Sequence, residues 1–295
     1  MADVGLDGRV AVVTGAAAGL GRAEALALAA AGADLVLGDV SPALADVAQE
    51  AEALGVKVRT VLGDVAETQV AHDLVTAAVE GHGRLDVVVN NAGFVRDRML
   101  FGMSDDEWDS VVRVHLRGHF VVSRAAAAYW RDRSKLSGAP VYGRLVNTAS
   151  EAWLFGAPGQ PNYAAAKAGI AALTVAAARG LSRYGVRANV ICPRARTAMT
   201  AGVFGDPPAA GVDPLSVEHV APFVAYLASP AAEAVNGQVF VVHGGGVAHL
   251  APPTVARRFT AAGELWTAEE LAVQLDPYFA GRDPDDVFAV TELLG

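Results

Sequence analysis

A tyrosine and a lysine lie one helical turn apart, at Tyr163 and Lys167, and a serine precedes them at Ser150. A tyrosine hydroxyl can exchange a proton with a substrate oxygen, and a lysine four residues further along a helix lies on the same face. The chain also opens with a glycine-rich turn, residues 14–21, of the kind that cradles a dinucleotide. Together these motifs predict hydride transfer to and from a carbonyl group.

The glycine-rich turn follows directly on a predicted strand, residues 9–13, and leads into a predicted helix. In that context Gly15 permits the tight turn, Gly19 lets the backbone approach a pyrophosphate, and Gly21 lets the helix pack closely on the sheet. The free N–H groups at the start of the helix then face the negative phosphates. The alternative interpretation is an ordinary connection between a strand and a helix.

Asp39 ends the second predicted strand, where an acidic side chain binds both hydroxyls of an adenosine ribose. A carboxylate there also repels a 2′-phosphate, so the sequence favours NAD over NADP. Asp39 could instead cap the following helix, although Ser41 before Pro42 is the better N-cap. Arg22 is evidence for NADP, because a nearby guanidinium tolerates a phosphate.

Short β-branched runs alternate with alanine-rich stretches along the chain. The predicted strands are residues 9–13, 34–39, 56–62, 85–90, 143–150, 187–192 and 238–243, and the predicted helices are residues 22–31, a helix from about 41, 105–133 and 161–184. This alternation predicts an α/β fold with a doubly wound parallel sheet of about seven strands, covered by helices on both faces. Such sheets bind ligands beyond the carboxyl ends of their strands, where loops 63–65 and 90–93 lie.

Composition narrows the class of protein. The 295 residues carry a net charge of −9, which argues against a nucleic acid partner because phosphate neutralisation needs clustered lysine and arginine. The single cysteine, Cys192, excludes an internal disulfide framework and a cysteine-rich zinc site, so no metal is expected. We also expect no apolar run long enough to span a bilayer, no membrane partner and a cytoplasmic location.

The chain changes character after Gly246, so we expect a domain of residues 1–246 and a C-terminal extension of residues 247–295. Thr267 and Glu270 have the spacing of a capping box, which predicts a short helix that Pro277 closes. The extension is expected to pack on the same domain or on a neighbouring subunit. It is either a surface appendage or a cover over the mouth of an active site.

Four motifs in this order resemble the short-chain dehydrogenase/reductase (SDR) family: TGxxxGxG at 14–21, NNAG at 90–93, a serine at 150 and YxxxK at 163–167. The agreement covers residues from about 7 to 246. The resemblance implies a Rossmann-like domain in a homotetramer or homodimer, whose main interface pairs the two long helices. The cofactor-binding residues that it implies are Gly15, Gly19, Leu20, Gly21, Asp39, Asp64, Val65, Asn91, Ala92, Gly93, Tyr163, Lys167, Pro193 and Thr197.

Residues 91–99 and 114–120 are similar to the branch that contains (3R)-hydroxyacyl-CoA dehydrogenases and 17β-hydroxysteroid dehydrogenases. His115 departs from the family pattern, because it stands where the family has a catalytic asparagine that holds a water beside the lysine. An imidazole can donate or accept in the same way, or the side chain can be purely structural. Pro193 is followed by Arg194 rather than glycine, whereas Thr197 matches the residue that meets the nicotinamide carboxamide.

The catalytic residues implied by the resemblance are Ser150, Tyr163, Lys167 and His115. Tyr163 would act as the general acid–base, and Ser150 would polarise the carbonyl. An ammonium about 4 Å away would lower the pKa of Tyr163 by about one to three units.

The leading prediction is an NAD-dependent oxidoreductase that interconverts an apolar secondary alcohol and its ketone, such as a 3-hydroxyacyl-CoA or a hydroxysteroid. One alternative is an NADPH-dependent 3-oxoacyl-carrier-protein reductase, and another is a non-catalytic dinucleotide-binding protein. Phe94, Trp153 and Phe155 are expected to line the substrate side, and the loop from about residue 198 to 214 is expected to select the substrate.

Overall fold

The computed structural model describes residues 3–200, 204–283 and 287–290. The strands in this part of the chain are β1 (Val10–Thr14), β2 (Asp34–Asp39), β3 (Val58–Leu62), β4 (Val87–Asn90), β5 (Gly143–Thr148), β6 (Val186–Pro193), β7 (Val239–His243) and β8 (Gly246–His249). The helices are α1 (Gly19–Ala30), α2 (Leu44–Glu52), α3 (Thr68–His82), α4 (Asp105–Val112), α5 (Gly118–Ser137), α6 (Ala152–Phe155), α7 (Pro161–Leu181), α8 (Ala221–Ala228) and α9 (Ala268–Phe279).

The strands form one sheet in the order β3-β2-β1-β4-β5-β6-β7-β8. Strands β1 to β7 are parallel, and β8 adds to β7 in the antiparallel direction. The chain winds outward from β1 to β3 and then returns to wind the other way from β4. This reversal between β1 and β4 opens a crevice at the carboxyl ends of both strands. The predicted doubly wound α/β fold is therefore confirmed, and all seven predicted strands are present with ends within two residues.

Both faces of the sheet are covered by apolar layers. In β1, Val10 and Val12 belong to one buried cluster, whereas Ala11 and Val13 belong to the other. Successive side chains of a strand point to opposite faces, so a strand covered on both faces must be apolar throughout. This double burial explains the continuous apolar runs and fixes the positions of the loops at the strand ends.

Helices α4 and α5 replace the single helix predicted for residues 105–133. A π-helical turn, Arg113–Arg117, joins them and holds an extra residue compared with an α-helical turn. Such turns occur frequently at functional sites, and this one carries His115. Helix α5 ends at Ser137 because Gly138 follows in the left-handed conformation, with φ of 69°.

Helix α2 begins later than predicted. Its first residue is Leu44 and Ala43 occupies the N-cap, whereas the sequence predicted Ser41 as the cap. The Ser41 N–H donates to the Asp39 carboxylate at 2.9 Å, which makes Ser41 part of the turn that follows β2. Helices α3, α6 and α8 were not predicted.

Residues 251–295 form a second compact unit, and residues 1–250 form the first. The first unit extends beyond the predicted boundary at residue 246 because β8 is part of its sheet. In α9 the Thr267 side chain accepts from the Glu270 N–H at 3.1 Å, but the Glu270 carboxylate accepts from the Ala262 N–H, so only half of the predicted capping box is present. Pro277 lies inside α9 rather than closing it.

Helix α7 contradicts the expectation that no apolar run could span a bilayer. The stretch Pro161–Tyr184 is 24 residues long, with a mean hydropathy of 1.3, and by length and composition alone it could cross a membrane. Its buried residues, which include Ile170 and Thr174, instead pack on β5 and β6 of the sheet. We therefore assign α7 as a core helix of the α/β domain.

Candidate active site

A cavity of about 840 Å³ opens at the carboxyl ends of the parallel strands, beside the crevice between β1 and β4. The structure brings nearly all of the predicted site residues to its walls. Those that line it are Gly15, Gly19, Leu20, Asp39, Asp64, Val65, Asn91, Ala92, Gly93, His115, Tyr163, Lys167, Pro193 and Thr197. Gly21 and Ser150 are predicted site residues that do not line the cavity.

The glycine-rich turn forms one wall and has no room for larger side chains. Gly15 and Gly19 have φ of 68° and 55°, which L-residues with side chains rarely adopt. A Cβ on Gly15 would lie 2.7 Å from the Ala92 Cα, and a Cβ on Gly21 would overlap the Gly15 carbonyl oxygen. The turn therefore requires glycine, and it places the start of α1 at the cavity wall, where the N–H groups of a helix N-terminus suit an anion.

Asp39 fastens the end of β2 to the glycine-rich turn. One carboxylate oxygen accepts the Ala17 N–H at 3.0 Å, and the other accepts the Ser41 N–H at 2.9 Å. Each oxygen keeps a lone pair that can accept a hydrogen bond from a hydroxyl group of a ligand in the cavity. Asp39 thus has a structural role in the turn and faces the cavity at the same time.

Arg22 does not line the cavity. Its guanidinium forms a two-point ion pair with Glu50 of α2, with an Nε–Oε1 distance of 3.3 Å and a closer contact between Nη2 and Oε2. The guanidinium that could bind a phosphate is therefore paired with a carboxylate.

The loop after β4 is fixed to the glycine-rich turn by Thr14. The Thr14 hydroxyl accepts the N–H groups of Asn91 and Ala92 at 3.1 and 3.3 Å, and the Asn91 side chain donates to the Thr14 carbonyl. The two loops therefore form one rigid floor for the cavity.

Asp64 supplies a charged group on the neighbouring wall. Burial raises the pKa of Asp64, but hydrogen bonds from Arg113 at 2.6 Å and from the Ala66 N–H outweigh this effect, so the pKa lies below its ordinary value.

Tyr163 and Lys167 point into the cavity from the first turns of α7. The Lys167 Nζ lies 5.3 Å from the centroid of the Tyr163 ring and donates to the Thr148 carbonyl at 2.6 Å. Ser150, two residues beyond the end of β5, hydrogen-bonds Tyr163. Its hydroxyl also accepts the Ala152 N–H at 3.2 Å, which holds it at the start of α6. The three side chains predicted to act together are therefore adjacent.

Burial dominates the acid–base properties of this pair. It raises the pKa of Tyr163 to about 12, although the hydrogen bond with Ser150 acts in the opposite direction. It also lowers the pKa of Lys167 to about 7. The predicted drop in the pKa of Tyr163 is therefore wrong, because the loss of solvent contact is the largest effect on this hydroxyl and raises its pKa.

His115 lies against Tyr163. Its ring meets the Tyr163 ring edge-on at a centroid distance of 5.1 Å, and its Nε2 lies 2.7 Å from the Phe94 carbonyl oxygen and 3.1 Å from the Phe94 nitrogen. Burial and the charge of Lys167 hold the pKa of His115 well below its ordinary value, so the ring is neutral at physiological pH. A Cβ on Gly93 would overlap this ring, which explains a glycine there.

The loop after β6 closes another side of the cavity. Thr197 lies on the wall, and its N–H donates to the Thr200 hydroxyl at 2.8 Å. Arg194, where the family has glycine, forms a two-point ion pair with Glu151 at 2.7 and 2.9 Å. Residues 201–203 of the predicted substrate-selecting loop lie outside the described residues.

Only part of the predicted apolar wall is present. Phe94 lines the cavity, but Trp153 and Phe155 do not. Sequence reasoning also missed two buried polar residues near Lys167, which are Glu24 in α1 and His119 in α5. His119 lies four residues after His115, and this helical spacing was the available signal.

A model of the short chain dehydrogenase family matches residues 9–206. A hydroxyacyl-CoA dehydrogenase of Mycobacterium tuberculosis, ChsB1, is 59% identical over 98% of this chain and 94% of that protein. The peroxisomal multifunctional enzyme type 2 of Mus musculus is 38% identical over 83% of this chain and 33% of its own length. The crystal structure of a short chain dehydrogenase from Mycobacterium avium is similar with a TM-score of 0.84 and 41% identity, over 95% of this chain and 97% of that one.

The chain therefore belongs to the short-chain dehydrogenase/reductase family, and the resemblance seen in its motifs is confirmed. It is an oxidoreductase that acts on CH–OH groups and interconverts a secondary alcohol and a ketone, with a nicotinamide dinucleotide as the cofactor.

Proposed function

We propose that this enzyme uses NAD to interconvert 3-hydroxyacyl-CoA and 3-oxoacyl-CoA thioesters. The observation that carries the proposal is the grouping of Tyr163 and Lys167 on the cavity wall, with Ser150 beside Tyr163 and Asp39 elsewhere on the same wall. The acyl-CoA substrate is supported by the hydroxyacyl-CoA dehydrogenase that is 59% identical to this chain.

The cavity fits a nicotinamide dinucleotide. The backbone at Gly15 and Gly19 would hold the pyrophosphate, and Gly21 would keep the turn tight, because a Cβ there would overlap the Gly15 carbonyl oxygen. Asp39 would bind the adenosine ribose. The remaining contacts would come from Leu20, Asp64, Val65, Asn91, Ala92, Gly93, Tyr163, Lys167, Pro193 and Thr197. The bound nicotinamide supplies the hydride acceptor or donor for the substrate carbon.

Tyr163 transfers the proton in this proposal. In carbonyl reduction its hydroxyl donates to the substrate oxygen, and in alcohol oxidation the phenolate removes the proton. Ser150 donates a hydrogen bond to the same oxygen and polarises the carbonyl. Lys167 favours the phenolate, and its charge matters because burial otherwise raises the pKa of Tyr163. His115, in contact with the Tyr163 ring, is proposed to hold a water beside Lys167.

The substrate can be tested directly with the purified protein. Formation of NADH is measured with a short (3R)-3-hydroxyacyl-CoA and, in parallel, with a 17β-hydroxysteroid. The proposal predicts a higher kcat/KM for the thioester. A higher value for the steroid would instead favour the second substrate class of the same branch, and NADPH-dependent reduction of 3-oxoacyl-carrier protein alone would favour the reductase alternative.

Asp39→Asn is expected to weaken NADH binding about tenfold and to reduce the preference for NADH over NADPH, because one charge-assisted hydrogen bond to the ribose is lost and repulsion of a 2′-phosphate falls. Dissociation constants for both cofactors are measured by the quenching of protein fluorescence. Asp46→Asn is the matched control, since it makes the same charge change on an exposed position of α2. An Asp39→Asn variant with the cofactor preference of the wild type would contradict the assignment.

We also propose a cytoplasmic homotetramer or homodimer that pairs the alanine-rich faces of α5 and α7. The C-terminal extension is proposed to pack on the domain of its own chain or of a neighbouring subunit. Light scattering coupled to gel filtration measures the mass of the assembly, and a mass equal to that of one chain would contradict the proposal.

A further inference from the structure

Five buried side chains form a polar cluster beside the catalytic tyrosine: Asn90, His115, His119, Thr148 and Lys167, none of them more than 4% exposed. Four atoms of this cluster have no hydrogen-bond partner among the described residues, and these are Asn90 Oδ1, His115 Nδ1, His119 Nε2 and Thr148 Oγ1. Buried polar atoms are almost always paired, either with protein groups or with ordered water. A polar space with this many unpaired atoms is therefore suited to hold buried water.

The fold brings these residues together from four elements, β4, β5, α5 and α7, and the π-helical turn. Strands β4 and β5 are adjacent and end at Asn90 and Thr148. Lys167 donates to the Thr148 carbonyl at 2.6 Å, and the backbones of Asn90, His115 and Thr148 are close enough to His119 to raise its pKa. His119 and Lys167 therefore share the Thr148 backbone as a neighbour.

Among the described residues, the acidic groups that act on Lys167 offset the effect of burial on its pKa only in part. Burial lowers its pKa to about 7, and the two acidic groups that act on it are Glu24 of α1 and Cys192 of β6. Burial raises the pKa of Glu24 to about 8 and that of Cys192 to about 12, so both groups are largely neutral at pH 7. The ammonium form of Lys167 must therefore rely on uncharged hydrogen-bond acceptors.

We propose that His119 is a positioning residue that keeps Lys167 protonated: a buried water accepts a hydrogen bond from the Lys167 ammonium and donates one to His119 Nε2. Thr148 Oγ1 and Asn90 Oδ1 supply further partners for this water. The His119 ring can accept because it is neutral, since burial and the charge of Lys167 lower its pKa to about 3. The role of Lys167 in catalysis rests on the proposed function, but its hydrogen bonding to this water does not.

The other titratable groups around Lys167 share this role only in part. His115 faces the cluster from the π-helical turn and is also neutral; its Nε2 is engaged with Phe94, and its unpaired Nδ1 gives the same water a further acceptor. Tyr163, on the same helix as Lys167, is protonated at neutral pH because burial raises its pKa to about 12. His119 is thus the neutral ring that shares the Thr148 backbone as a neighbour with the ammonium.

The protonation of Lys167 can be observed without any turnover, because the chain has three lysines, Lys57, Lys135 and Lys167. In protein labelled with ¹³C-lysine, the three Cε signals are resolved by NMR and assigned with Lys→Arg variants at the first two positions. The wild type is expected to show a Lys167 midpoint near pH 7. His119→Phe keeps a ring but removes the acceptor, and it is expected to lower the midpoint by about one pH unit.

Two further variants separate the loss of the hydrogen bond to His119 from other effects of replacing a buried residue. His119→Gln presents an amide oxygen that can accept, so it is expected to restore much of the wild-type midpoint. Ser123→Ala removes a buried hydrogen bond from the Asn90 side chain, 3.1 Å long and one turn further along α5, and should leave the midpoint unchanged. An unchanged midpoint in folded His119→Phe would overturn the proposal, and His119→Leu is judged by the same criterion if the phenylalanine variant does not fold.

Carbonyl reduction supplies the second readout. It is expected to need Lys167 charged, so kcat falls as the pH rises through the pKa of Lys167, and His119→Phe should move this fall about one unit toward acid with KM unchanged. A shifted NMR midpoint in a protein whose wild type has no turnover would uphold this inference and refute the proposed function. Normal wild-type turnover, together with an unchanged NMR midpoint in His119→Phe, would uphold the proposed function and refute this inference.

Discussion

Tyr163→Phe is expected to lower kcat for 3-oxoacyl-CoA reduction by about a thousandfold, because general acid catalysis by a positioned side chain contributes about 10² to 10⁴ in rate. The variant keeps the ring that packs edge-on against His115, and only the hydroxyl is lost. The dissociation constant for NADH should therefore change by less than about twofold. Initial rates and fluorescence titration measure the two quantities.

Tyr184→Phe is the matched control for this change. It removes the same hydroxyl from the 3₁₀ turn that follows α7, where the Arg183 side chain is its partner. We expect wild-type kcat in this variant. Turnover of Tyr163→Phe within tenfold of the wild type would show that another group transfers the proton.

Lys167→Met is expected to lower kcat about a hundredfold and to weaken NADH binding, since the ammonium favours the Tyr163 phenolate and is proposed to contact the cofactor. Methionine keeps the length of the side chain but not the charge. Because burial disfavours the ammonium, a neutral side chain of similar volume should leave the thermal midpoint of unfolding unchanged or raise it. Enzyme rates and differential scanning calorimetry test the two effects separately.

Lys135→Met makes the same chemical change at an exposed position near the end of α5. It should change neither kcat nor the thermal midpoint of unfolding. A large fall in the thermal midpoint of Lys167→Met, with kcat lost only in proportion to unfolded protein, would assign Lys167 a structural role.

The parts of the fold and site that were predictable depend on local residue types. Glycine is needed where φ is positive, as at Gly15 and Gly19, so the cofactor turn is visible in the sequence. Parallel strands covered on both faces must be apolar throughout, which made central strands such as β1 and β4 recognisable. The spacing of Tyr163 and Lys167 encodes one helix face directly.

The remaining features depend on contacts between distant segments. The π-helical turn arises within a pattern that is otherwise helical, and helix α3 was missed although its buried Ala71, Leu74 and Ala78 have helical spacing. The direction of the Tyr163 pKa shift follows from burial, which the sequence does not reveal. The burial of Glu24 and His119 near Lys167 could not be read from the sequence, because it depends on how the fold brings these helices together.

The most direct test of this account follows NADH oxidation at 340 nm by the purified protein with a short 3-oxoacyl-CoA, at fixed pH and with NADPH in a parallel series. The account predicts saturable turnover with the thioester and a higher kcat/KM for NADH than for NADPH. Binding of NADH without turnover of the thioester or of any other ketone would contradict it and would leave a dinucleotide-binding protein without catalysis.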